Sequence, residues 1–497
     1  MNYYLGIDIG TFESKGVIVD TSGHVVASAS KPHRMLVPQP GWAEHRPKQD
    51  WWGDFTTICK KMLADSGIAP NSIRAVGASA IGPCMLPVDE DGEALSNAVL
   101  YGVDTRAAKE IDELNAAIGP DRILERCGNA LTSQSVGPKI LWLKKNRPEV
   151  FRKAAKIVTS TTYLVQKLTG ECVIDHYSAA NFSPIYVVDK QGWSTELAPD
   201  IIDIERLPKI MWTTAVAGHV TTRAARATGL AQGTPVIAGT IDAAAEALSV
   251  GVVRQGDTMV MYGSTVFTIM LSKNRIEDPR LWYAPWLFPG GHASMAGLAT
   301  SGTLTHWFRD QAARDLDPDE AFANLSREAE ASPPGANGLV MLPYFSGERT
   351  PIHDPDAKGM IFGLNLTHRR GDLYRALLEG IACGTNHIIE TYRDIGHMPG
   401  SLIAVGGGTR NRVWSQAVSD VSGMAQTVCR NSVGASYGDA FLAALGVGDV
   451  SKRDILTWNP EERRIKPDRK NRPVYERRYK VFRQLYERTR DLMAELP

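Results

Sequence analysis

The stretch Leu5-Gly6-Ile7-Asp8-Ile9-Gly10-Thr11-Phe12-Glu13-Ser14-Lys15-Gly16-Val17-Ile18-Val19-Asp20 reads as a β-hairpin. Leu5, Ile7 and Ile9 alternate as one buried strand face requires, Gly10-Thr11 turns the chain, and Val17-Ile18-Val19 returns it. The same plan recurs about half a chain later. Asp257-Thr258-Met259-Val260-Met261-Tyr262 leads into Gly263-Ser264-Thr265, and Val266-Phe267-Thr268-Ile269-Met270-Leu271 follows. Two hairpins of one plan, each with a glycine followed by a hydroxyl residue, predict two related halves, 1–248 and 249–497, each offering one turn to a shared cleft.

Outward from the first hairpin the period changes. After Pro47, the residues Trp51, Phe55, Ile58, Cys59 and Met62 fall on one helical face, and Ile73–Ser79 reads as a strand. Alternation of this kind predicts an α/β protein whose sheets are covered by helices. A helix rich in apolar residues and beginning near Tyr475 closes the chain.

Composition sets the outer limits. Of 497 residues, 43% are hydrophobic and 22% charged, which excludes disordered and collagen-like classes. Fifty-five basic residues balance fifty-five acidic ones. That removes the electrostatic case for nucleic acid or an anionic membrane as partner. Six cysteines without a C-x-x-C pair suit a reducing cytoplasm. The residues from Met1 lack a basic leader and cleavage site, and no apolar run is long enough to span a bilayer. A soluble cytoplasmic protein is expected.

The sequence has no G-x-x-x-x-G-K-[ST], G-x-G-x-x-G or H-E-x-x-H. Phosphate binding, if present, falls to backbone amides in short turns, and Gly10-Thr11 and Gly263-Ser264 can each present N–H groups and a hydroxyl to an anion. Asp8 precedes the first turn. An acid there would be repelled by phosphates unless a cation lay between them, which points to Mg²⁺. Lys15 could neutralise phosphate as a point charge; taken alone it reads as an exposed strand lysine. Asp242 precedes the alanine-rich run Ala243–Leu248 and reads equally as an N-cap or as a base for a substrate hydroxyl, kept ionised by helix amides. Gly406-Gly407-Gly408, after Leu402–Val405, is either a floor for a planar ring, with Asn411 facing the nucleoside, or a plain strand-to-helix turn.

These residues together resemble the FGGY carbohydrate kinases, a family of the actin/hexokinase/Hsp70 ATPase superfamily, and among them the xylulokinase-like members. The resemblance runs nearly the length of the chain. It rests on Gly6–Thr11 with Ser14-Lys15, Pro138–Leu143, Val236–Gly239 followed by Asp242, and Tyr262–Thr265. It continues through Gly359–Leu364 to Ala376-Leu377-Leu378-Glu379-Gly380, and Gly406–Gly408 with Asn411 and Trp414. It implies two actin-like (ribonuclease H-like) domains with a nucleotide cleft between them, and ATP-dependent phosphorylation of a terminal hydroxyl on a small ketose or polyol. Asp242 matches the family's catalytic base and Asp8 its Mg²⁺-associated acid. Gly10, Thr11 and Lys15 match the first phosphate turn, and Gly263, Ser264 and Thr265 the second. Gly302 and His306 match the region flanking ATP, and Gly407, Gly408 and Asn411 the adenosine floor.

The sugar side departs from the pattern. Where xylulokinase-like members carry Gln-Met-His-Gly and glycerol kinases an Arg-Glu pair, this chain has Ser79-Ala80-Ile81-Gly82-Pro83-Cys84. In the Trp-x-Asp-x-Arg element, Asp104 and Arg106 match, while Gly102 replaces the tryptophan. Ser79, Asp104, Arg106 and Asp242 are the substrate-side candidates, with a surface ion pair as the other reading of Asp104 and Arg106. D-xylulose is the first expectation, with a tetrulose, L-ribulose or a glycerol-type polyol as alternatives, and a homodimer is left open. A non-catalytic sugar or nucleotide sensor would not need both Asp8 and Asp242. A protein-binding ATPase would need an appendage that the tail after residue 455 is too short to supply.

Overall fold

The computed structural model describes residues 2–496; Met1 and Pro497 lie outside them. The chain packs into two compact units. One comprises the chain up to Val253 with Ser272–Ala293 and Val433–Asn459; the other comprises Arg254–Leu271, Ser294–Ser432 and the chain from Pro460.

The first unit is built on β1 (Tyr3–Ile9), β2 (Glu13–Asp20), β3 (Val25–Pro32), β4 (Ile73–Ala80), β5 (Val216–His219), β6 (Pro235–Ile237) and β7 (Thr240–Ile241). The strand order is β5–β6–β4–β1–β2–β3, with β7 also against β4. β1 and β2 form the expected antiparallel hairpin, closed where the Gly10 amide donates to Glu13 O at 3.1 Å. β1 and β7 both run parallel to β4, so Asp8 and Thr240 each sit opposite Ser79. The Gly53–Ser66 helix buries Phe55, Ile58, Cys59 and Met62, the expected face. Trp51 lies just before it, in the wider π-type turn Pro47–Trp52.

Two helices finish the functional end of this sheet. Asp242–Ser249 begins directly after β7, and Ala435–Gly446, apolar and buried on nearly all sides, packs on β1, β4 and the Asp242–Ser249 helix. The approach is backbone to backbone. A Cβ at Gly6 would overlap Ser436 O, one at Gly77 would overlap Asp439 O, and one at Gly438 would overlap Ala245 O. Gly434-Ala435-Ser436-Tyr437-Gly438 matches the G-x-S-x-G pattern of hydrolases, but Ser436 is fully buried in this packed helix and presents no nucleophile.

The second unit carries β8 (Asp257–Tyr262), β9 (Val266–Ser272), β10 (His292–Gly297), β11 (Ser401–Val405), β12 (Gln426–Cys429) and β13 (Glu461–Ile465). Their order is β10–β9–β8–β11–β12–β13. β8 and β9 form the second expected hairpin, and β8, β11 and β12 run parallel. The long Arg370–Asp394 helix is the hub, against which Gly302–Ala312, Ala321–Ala331 and Arg412–Ser422 pack. The closing helix, Arg472–Ala494, buries Phe482 and Met493 against the same unit.

Because the glycine contacts are with rigid backbone, Gly77→Ala and Gly438→Ala should each cost about 2 kcal/mol or more in denaturant unfolding. Gly67→Ala is the comparison. It occupies a left-handed helix end, φ +65°, with open space around it. It should lose only about 1 kcal/mol, from backbone strain alone. Equal losses at the three sites would refute the close-approach account.

Candidate active site

The parallel strands of the first unit end in a row of acids. Asp8 is the penultimate residue of β1, and Asp242 directly follows β7. Asp242 is the first residue of its helix, where Ile241 holds the cap position, and its Oδ1 accepts from the Ala243 amide at 2.7 Å. The sequence pattern alone predicts that helix amides keep this carboxylate ionised. The structure corrects that: burial outweighs the Ala243 hydrogen bond, Glu246 adds repulsion, and the group is pushed up to about 7. Burial and the charges of Asp242 and Glu246 likewise hold Asp8 well above the usual carboxylate range. Burial also raises Glu246.

Asp439 is the member of this group that sequence reasoning missed. It is fully buried, and Ser79 Oγ lies 2.7 Å from its Oδ2 and 3.2 Å from Asp8 Oδ1. One hydroxyl proton cannot be donated to two carboxylates at once. One acid therefore supplies its own proton, and Asp439 fits: burial, then the charge of Asp8, raises it strongly, and its Oδ1 is buried without a hydrogen-bond partner. A lone acid in an otherwise apolar helix was the available signal.

Lys15 lies opposite Asp8 on the hairpin, half exposed, and pairs with Glu13 at 3.3 Å. Among the described residues, no three His, Cys, Asp or Glu side chains close around a single metal position. The donor set is nevertheless all carboxylate oxygen, the hard set Mg²⁺ prefers, and that ion usually keeps water and takes further ligands from phosphate. The residues fit such an ion.

The Asp104 and Arg106 side chains are buried. The Asp104 carboxylate accepts from the Ala43 amide and from the Arg106 side chain and amide. Arg106 also reaches Glu44 at 2.9 Å, with its guanidinium carbon 3.9 Å from the Trp42 ring centroid and 5.0 Å from that of Trp142. The surface ion pair anticipated as one reading is thus corrected to a packed brace. At Gly102 the missing side chain is replaced by Gln134, whose Oε1 accepts the Gly102 amide at 3.1 Å.

In the second unit a cavity of about 550 Å³ is lined by Gly263, Ser264, Gly302, His306, Gly407, Gly408 and Asn411, which the sequence had singled out separately. Thr265 is not on its wall. The turn is shaped by the following helix: the Gly302 amide donates to Gly263 O at 3.0 Å, and the Ser301 and Thr303 amides donate to Ser264 O. Gly408 has no room for a side chain, because a Cβ would strike the Trp414 ring, whereas Gly407 is open. Asn411 caps the Arg412–Ser422 helix through the Trp414 amide. His306 meets the Phe322 ring edge to face at 4.9 Å, and Phe322, Ser326 and Tyr374 complete walls that no local sequence motif announces.

Comparison with known proteins gives the family. The sequence model of the FGGY family of carbohydrate kinases matches as its N-terminal domain over residues 3–249 and as its C-terminal domain over 258–447. The chain belongs to the FGGY family of carbohydrate kinases. As an FGGY kinase it is 30% identical to the xylulose kinase of Escherichia coli (strain K12) over 99% of this chain and 100% of that one. It is 27% identical to the xylulose kinase of Bacillus subtilis (strain 168) over 100% and 99%. A solved xylulose kinase from Rhodospirillum rubrum superposes with a TM-score of 0.92 at 33% identity, covering 99% of this chain and 100% of that one. FGGY kinases draw their phosphoryl group from ATP, and the chain has the two-domain α/β fold of the family. No helix among the described residues is long and apolar enough to cross a membrane.

The raised acids carry a stability cost with a definite sign. Between the ordinary carboxylate value and about 7, the folded kinase holds a proton on Asp242 that the unfolded chain has lost. Stability contributed by this group therefore falls as pH rises through that window. Asp242→Asn should raise the melting temperature by about 2 °C or more at pH 8, with little gain at pH 4. A gain independent of pH would show that Asp242 is not the strained acid.

Proposed function

We propose that this FGGY kinase is a D-xylulose kinase in which Asp242 is the catalytic base. Full-length likeness to xylulose kinases supports the substrate; the position of Asp242 supports the base: it starts a helix beside Asp8, with a carboxyl that burial pushes up to about 7. A base matched to the working pH can take a proton late in a loose phosphoryl-transfer step. The sugar hydroxyl oxygen bonds to the γ-phosphorus, the bridging oxygen leaves with ADP, and the hydroxyl proton passes to Asp242.

The remaining roles follow the residues. The Gly407-Gly408 floor and the walls around it take the adenosine, and Gly263-Ser264 and Gly10-Thr11 offer amides to the phosphates, with Lys15 as a point charge. Asp8 would hold Mg²⁺ through water, with Ser79 tying it to Asp439; when bound, the ion neutralises phosphate charge. In sequence terms, sugar binding and the first phosphate turn belong to 1–248, and the rest of nucleotide binding to 249–497. Asp104 and Arg106 act on the sugar side indirectly, as a brace that packs Trp42 against Trp142.

The test is an ATP-consumption assay across D-xylulose, L-ribulose, a tetrulose and glycerol. D-xylulose should give the highest kcat/KM, and a higher value for any other acceptor overturns the substrate assignment. Asp242→Ala should cut turnover by about 10²–10⁴-fold while calorimetry still detects ATP binding; unchanged turnover removes Asp242 from the mechanism. Trp42→Ala and Arg106→Lys should raise KM for the sugar and leave that for ATP; the opposite pattern would place the brace elsewhere.

A further inference from the structure

Three consecutive carbonyls of the first turn are taken up by two histidines. His33 Nε2 lies 3.0 Å from Gly10 O, His45 Nε2 lies 3.0 Å from Thr11 O, and the His33 backbone amide donates to Phe12 O at 2.9 Å. A carbonyl only accepts, so both Nε2 atoms must carry hydrogen.

The other ring nitrogens then assign the charge. His45 Nδ1 accepts from the Trp51 indole N–H at 3.1 Å, which makes His45 neutral with its hydrogen on Nε2. Burial, followed by the charge of His33, presses His45 down to about 4. His33 Nδ1 lies 2.8 Å from Asp54 Oδ2. Asp54 also accepts from Lys31 at 2.8 Å and from Ser14 at 2.9 Å. Burial opposes its ionisation, but the bonds from His33, Lys31 and Ser14 outweigh it and hold Asp54 below its ordinary value. A carboxylate on one side and a carbonyl on the other leave His33 donating from both nitrogens, as an imidazolium. The two rings meet edge to face at 4.9 Å, and the His33 side chain is only 3% exposed.

The peptide plane turns this into function. Gly10–Thr11 and Thr11–Phe12 are trans peptides, since the cis bonds all precede proline. In a trans peptide the C=O and the next N–H point in opposite directions. Carbonyls drawn toward the histidines therefore send the Thr11 and Phe12 amides the other way. We propose that His33 and His45 are the positioning residues of the first phosphate turn, a charged and a neutral imidazole holding back its carbonyls so that its amides face the phosphates of ATP. This rests on the reading of Gly10-Thr11 as a phosphate turn. In the second turn the same task falls to the Ser301, Gly302 and Thr303 amides.

Two measurements test it. Solid-state ¹⁵N spectra of the whole protein with labelled histidine, differenced against His33→Gln and His45→Gln, should lose two protonated ring signals for His33. For His45 they should lose one protonated and one unprotonated signal. An unprotonated nitrogen on His33, or two protonated ones on His45, overturns the assignment. In steady-state assays, His33→Leu and His45→Leu should raise KM for ATP by about tenfold or more while leaving KM for the sugar. His45→Gln, whose amide can both donate to Thr11 O and accept from Trp51, should restore it. If the leucine variants leave KM for ATP unchanged while Thr11→Val and Lys15→Ala raise it, the histidines do not position the turn. If all four leave it unchanged, the turn is not a phosphate site and the inference falls with that reading.

Discussion

The first unit depends on a place where side chains are missing. Gly6 on β1, Gly77 on β4 and Gly438 on the Ala435–Gly446 helix let backbone meet backbone. Along a strand, residues two apart share a face. Asp8 therefore projects on the same side as Gly6, and Ser79 on the same side as Gly77, the side on which the helix lies. Once the helix is pressed onto Gly77 at Asp439, the acid on that turn can only arrive beside Ser79. Asp8 comes from the neighbouring strand at the same register. The acidic row is a consequence of that fit.

Such a row opposes folding, because each buried carboxyl raises the cost of ionising the next. It persists by sharing: Ser79 ties Asp439 to Asp8, and the Ala243 amide supports Asp242. The turns meet a related demand. An amide can serve an anion only if the carbonyl of the same peptide is occupied elsewhere. In the second unit a helix start supplies the donors in backbone form; in the first, where the hairpin runs straight into β2, side chains from His33 and His45 supply them.

Local pattern made part of this readable. The hairpins, their glycine-hydroxyl turns and the Gly53–Ser66 face follow from periods of two and 3.6 residues. Asp8, Asp242 and Gly408 stand next to punctuation that any reader of turns would mark. Asp439 does not: it sits inside a mostly apolar helix, and its partners lie hundreds of residues away in sequence. Arg106 shows the same limit, because its stacking on Trp42 and Trp142 joins three separate segments. The protonation of Asp242 is not legible in the sequence for a different reason. Helix amides are visible in sequence as an alanine-rich run, whereas the burial that overrides them is a tertiary property.

The burial of Asp242 bears on mechanism. A carboxylate held fully ionised near its ordinary value accepts a proton poorly, since the acid it forms is strong. Burial and the charge of Glu246 lift Asp242 toward neutrality, where the deprotonated form is still populated and its affinity for a proton is much greater. The burial and repulsion that weaken the fold and the basicity that the proposed mechanism asks of Asp242 are one electrostatic effect seen from two sides. Replacing Glu246 with a neutral residue would relieve part of it, strengthening the fold and weakening the proposed base together.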